Sequence, residues 1–63
     1  MPAPFTVVTL VDEDGDEFPF RIDGAPDDEL DVREAKARLA LFTEQGHISP
    51  RGEVSVKSVE RTA

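Results

Sequence analysis

The chain has 63 residues, no cysteine, and fourteen acidic against seven basic side chains, for a net charge of −7. That length allows one domain, residues 1–63, with no disulfide framework and no thiolate metal site to reinforce its core. The acidity argues against binding nucleic acid by phosphate neutralisation, which needs clustered Lys and Arg.

The amino end, Met1-Pro2-Ala3-Pro4, lacks the basic flank and apolar stretch of a signal peptide, and no apolar run approaches a membrane-spanning length. The sequence is therefore expected to be cytoplasmic and to make no membrane contact. From Phe5 the pattern has period two. Phe5, Val7, Thr9 and Val11 share one side, while Thr6, Val8, Leu10 and Asp12 share the other. A second such run follows, in which Phe18, Phe20 and Ile22 alternate with Glu17, Pro19, Arg21 and Asp23. Both runs are predicted strands, rich in β-branched and aromatic residues.

Between them lies Asp12-Glu13-Asp14-Gly15-Asp16-Glu17, five carboxylates around one glycine. Asp14-Gly15 suits a two-residue type I′ hairpin turn. That turn sets Val11 opposite Phe18, Thr9 opposite Phe20 and Val7 opposite Ile22. It places Val7 and Val11 in the core and leaves Val8 and Leu10 on the far side of the sheet. It also sets Glu13 against Asp16 and Asp12 against Glu17, like charges that oppose each other across a ladder. A calcium loop does not fit. Counting from Asp12, acids stand at positions 1, 3, 5 and 12, but Glu17 occupies the glycine position and the flanks are strands.

Pro19 assigns the second strand to an edge, with its missing N–H facing outward. Gly24-Ala25-Pro26 ends that strand, and Asp27-Asp28-Glu29 opens a polar connection. Asp31 and Glu34 then form a D-x-x-E capping box, with Asp28 as the start one turn earlier. Val32, Ala35, Leu39 and Phe42 mark the buried stripe of a helix of roughly 14 residues that ends at Gly46. Ser49-Pro50-Arg51-Gly52 has the composition of a type I turn. Residues 53–60 alternate again as a third strand, with Val54 and Val56 on one side and Val59 out of phase, the mark of a bulge or of a frayed end.

The order β-β-α-β implies an α+β fold. It is a small two-layer sandwich, with a three-stranded antiparallel sheet in order 2-1-3 and one helix packed on one face. Its open face is expected to carry Val8, Leu10, Pro19 and Val59, which nominates them for self-association into a dimer.

No enzymatic constellation emerges. His47 is the single histidine, Ser49 lies two residues on, and nothing identifies an orienting carboxylate. No catalytic residue, metal ligand or cofactor is expected. The remaining reading is a non-enzymatic accessory protein acting through protein–protein contacts. Residues 1–31 carry ten acids and one base, and residues 32–63 four acids and six bases. Such asymmetry nominates Asp12, Glu13, Asp14, Asp16, Glu17, Asp27, Asp28 and Glu29 as a surface for a basic partner. Two alternatives share this composition. One is an acidic nucleic-acid mimic that inhibits a DNA- or RNA-binding protein. The other is salt adaptation, in which the acids have no specific partner.

Overall fold

The computed structural model describes residues 4–24 and 27–62. It contains β1 (Phe5–Val11), β2 (Glu17–Asp23), α1 (Asp28–Glu44) and β3 (Ser55–Thr62), in that order. The strands form one antiparallel sheet ordered β2-β1-β3, and α1 lies over β1 and β2 on one face. The architecture is the α+β sandwich that the sequence implies. Ala25 and Pro26, expected to break the strand, and Met1 to Ala3 of the amino end lie outside the described residues.

The hairpin departs from expectation by one residue. Leu10 faces Phe18, Val8 faces Phe20 and Thr6 faces Ile22. The turn is the cause. Gly15 has φ 87°, and among the described residues no non-glycine has a positive φ, whereas a type I′ turn needs two such residues in succession. The Gly15 N–H donates to the Asp12 carbonyl at 3.2 Å, and the Asp12 N–H donates to the Asp16 carbonyl at 3.1 Å. This is a three-residue loop, a type I turn followed by a left-handed glycine. One added loop residue shifts every pair, and the side-chain period of two converts that shift into an exchange of faces.

The core list changes accordingly. Val8 and Leu10, expected on the open face, are fully buried beneath the helix with Phe20, Ile22, Ala35 and Leu39. Val59, also expected outside, packs partly buried against that cluster. Phe5, Val7 and Val11, expected inside, sit half-buried on the other face. Pro19 stays there, exposed and opposite Thr9. Full burial of an aliphatic side chain of this size contributes about 1.5–3 kcal/mol, so Val8 and Leu10 are principal supports of a small core.

α1 begins one turn before the Asp31 cap. Asp27 is the N-cap, in extended conformation, and its carboxylate accepts the Leu30 N–H at 3.1 Å. Asp31 is buried and reaches back to accept the Asp27 N–H at 3.2 Å, so both carboxylates satisfy helix-start donors. The helix closes as expected before Gly46. The Gly46 N–H donates to the Thr43 carbonyl and the His47 N–H to the Phe42 carbonyl, the paired bonds of a Schellman motif. Phe42 stacks on Phe20 with ring centroids 6.0 Å apart, which draws the last turn down onto β2.

β3 carries the bulge that the phase of Val59 implies. Val8 pairs with Val59 and Thr9 with Ser58, but Leu10 pairs with Val56, leaving Lys57 as the additional residue. The bulge returns both Val56 and Val59 to the helix side of the sheet. Because α1 sits over β1 and β2, these valines form an apolar ledge: Val56 is 38% exposed and Val54 and Val59 are partly buried. The expected type I turn at Ser49–Gly52 shows no turn hydrogen bond; the segment is held from outside, by the hairpin tip.

Candidate functional site

The acidic tip is an internal tie. Asp12 is 6% exposed, and its carboxylate accepts three backbone N–H groups: Asp14 at 3.0 Å, Asp16 at 2.9 Å and Arg51 at 2.9 Å. The Arg51 bond, reinforced by those from within the loop, holds this carboxyl below its ordinary pKa despite its burial. Glu13 continues the tie. Its N–H donates to the Arg51 carbonyl at 3.0 Å, and its carboxylate accepts the Glu53 N–H at 2.7 Å. That carboxylate lies where a side chain on residue 52 would stand, and Gly52 has φ 69°, so a larger residue there would be strained and would displace Glu13 from the Glu53 N–H. The facing pairs expected at this tip change with the register: Glu17 faces Val11 and Asp12 stands opposite Asp16, with the Asp12 and Glu13 carboxylates turned to backbone donors.

The remaining acids of the two clusters are largely engaged within the chain. Asp14 pairs with Arg51 at 3.5 Å, Glu17 with Lys57 at 2.8 Å, Glu29 with Arg33 at 3.8 Å, and Asp28 with Arg61. All four pairs join the acidic first half to the basic second half, so folding consumes much of the asymmetry seen along the sequence. All are exposed, and each contributes at most about 1 kcal/mol. The clusters also stand apart. Residues 12–17 cap one end of β2 and residues 27–31 follow its other end, about 23 Å away for a seven-residue strand. They do not form one continuous row of carboxylates.

The sheet has three other surfaces. On the face opposite the helix, the apolar stripe of β1 is strapped by its neighbours. The Arg21 guanidinium lies 3.9 Å from the centroid of the Phe5 ring, and the Lys57–Glu17 pair spans the sheet beside Val11. The outer edge of β2 is blocked. The Asp12–Asp16 bond fixes the alternation, so Pro19 and Arg21 direct their backbone groups outward. Proline has no N–H to offer, and the Arg21 carbonyl accepts the Arg38 guanidinium at 2.8 Å. The outer edge of β3 is different. By the same alternation Val59 and Arg61 point their N–H and carbonyl groups away from β1, and no described element lies beside them.

His47 is exposed and lies edge-on to Phe42 with centroids 6.2 Å apart, completing the helix end. Among the described residues no three His, Asp or Glu side chains are grouped to hold a metal ion, and no helix is long and apolar enough to cross a membrane. Comparison with protein-family models, curated proteins and solved structures finds no match to this chain.

Sequence reasoning did not single out the β3 edge or the role of Asp12. The edge was legible in principle, because the order 2-1-3 leaves β3 outermost. The role of Asp12 was not, since its partner Arg51 lies 39 residues away.

Proposed function

We propose that the protein is a non-enzymatic interaction module that self-associates through its sheet, by antiparallel pairing of β3 with β3 of a second copy. The observation that carries this reading is the contrast between the two sheet edges. β2 is closed by Pro19 and Arg38, while β3 presents an unpaired backbone beside the apolar ledge of Val54, Val56 and Val59.

The residues of β3 favour one symmetric register. Centred on Val59, it sets Val59 against its own copy, Ser58 against Glu60 and Lys57 against Arg61 of the second copy. Centring on Glu60 or Arg61 would instead set two identical charges against each other at the dyad itself, where an apolar pair stands in the Val59 register. The self-association surface thus moves from Val8 and Leu10, which are core, to Val56 and Val59. The internal engagement of the acids and the separation of their clusters weigh against the nucleic-acid mimic.

Edge variants test the proposal. Val56→Asp puts a charge on the exposed ledge, and Val59→Pro removes an outward N–H without removing a ladder bond to β1. Both should give monomers by light scattering at concentrations where the wild type dimerises, with the helical circular dichroism of the wild type retained. Pro19→Val restores a donor to the β2 edge and should raise association. Dimerisation unchanged in both β3 variants would overturn the proposal.

A further inference from the structure

Folding leaves a one-sided remainder of charge. Six of the seven basic side chains are paired within the chain: Arg21, Arg33, Arg38, Arg51, Lys57 and Arg61. Among the described residues Lys36 is the one base in no ion pair, against eight of the fourteen acids. Lys36 is on α1, not on the β3 edge. A second copy therefore meets almost no free cation with which to offset its own charge of −7. The β3 register adds no attraction of this kind. About Val59 the strands set Ser58 against Glu60 and Lys57 against Arg61, so no opposite charges face each other directly across the dyad. Backbone hydrogen bonds and valines hold the edges together, and charge opposes them.

We infer that ionic strength controls self-association, the dimer forming as salt screens the repulsion between two acidic copies. This salt dependence rests on β3 pairing as the mode of association. Such pairing places the middle strands of the two copies roughly 14 Å apart, three strand spacings. That separation is well inside the Debye length of about 30 Å at 10 mM salt and beyond that of about 8 Å at 150 mM. Repulsion between the copies is therefore largely felt at the lower concentration and largely screened at the higher. An interface held by salt bridges responds in the opposite sense and weakens as salt rises.

The test is sedimentation equilibrium of the full chain in NaCl from about 10 to about 150 mM, with circular dichroism at each concentration. The dimer dissociation constant should fall by about tenfold or more across that range, with the helical signal unchanged. A second arm alters the charge instead of the salt. Asp16 and Glu44 are exposed, lie outside β3 and are in no ion pair among the described residues. The double variant Asp16→Asn, Glu44→Gln should dimerise about threefold or more tightly than the wild type at the lowest salt, and equally at the highest. Val59→Pro should stay monomeric throughout. A dissociation constant that is unchanged or rises with salt would overturn the salt dependence and leave β3 pairing standing. So would a charge variant that matches the wild type at the lowest salt, because repulsion is then not what salt relieves. Loss of helix at the lowest salt would also overturn it, by placing the salt effect in the fold. Monomer at every salt concentration, or a dimer that persists in Val59→Pro, would overturn β3 pairing itself and the salt dependence with it.

Discussion

Leu10→Asp is expected to leave no folded protein at 25 °C, and Leu10→Ala to lose about 2–5 kcal/mol in urea unfolding. The reason is the face exchange imposed by the hairpin loop. Leu10 is fully buried between Phe18 of β2 and Val56 of β3, beneath the helix. A carboxylate there would be charged and unpaired, and an alanine would leave a cavity in a core with few other large side chains. The contrast is Val7, one face over and half-buried beside Glu60 and Arg21. Val7→Ala should cost less than Leu10→Ala, by about 1 kcal/mol or more. A larger loss at Val7 than at Leu10 would mean that the turn has only two residues and that the faces are reversed.

Asp12→Ala is expected to be the most damaging substitution outside the apolar core. It strips the acceptor from three N–H groups at once and unties the hairpin from the segment that leads into β3. Asp12→Asn keeps one carbonyl oxygen and should fall between alanine and wild type in thermal melts. The pH dependence follows from the direction of the shift. The Asp12 carboxyl is held below its ordinary value, so its contribution is fully present above about pH 4 and is lost as pH falls through the lower, folded value. The gap in stability between wild type and Asp12→Asn should therefore be flat from pH 5 to 8 and close below pH 4. A gap that widens on acidification would contradict the assignment.

The order of elements and the edge position of Pro19 could be read from the sequence, because each rests on local chemistry. Proline cannot donate, the glycine after Gln45 ends the helix, and alternation marks the strands. The face of β1 could not be read the same way. Phe5-Val7-Val11 and Val8-Leu10 are almost equally apolar, so composition leaves the choice open and the turn decides it. Asp14-Gly15 fits a two-residue turn by identity. Asp12, however, can accept N–H groups inside the loop and from Arg51 as well, and that long-range bond favours the three-residue form. Local turn chemistry was thus overridden by a tertiary contact. The acidic clusters were legible as clusters, and the second as a helix start, but the ties were not, since their partners at Arg51, Glu53, Lys57 and Arg61 all lie beyond the helix.

Amide hydrogen exchange at Val59 and Arg61 is the most direct test of β3 as the self-association edge. In the monomer the N–H groups of both residues face outward without a partner. Pairing with β3 of a second copy gives each of them an acceptor. Protection at these two amides should rise with protein concentration, in step with a mass approaching twice 6.9 kDa, while Ser58 and Glu60 stay protected by β1 throughout. Fast exchange at Val59 and Arg61 at every concentration up to the millimolar range, with the mass remaining 6.9 kDa, would contradict it.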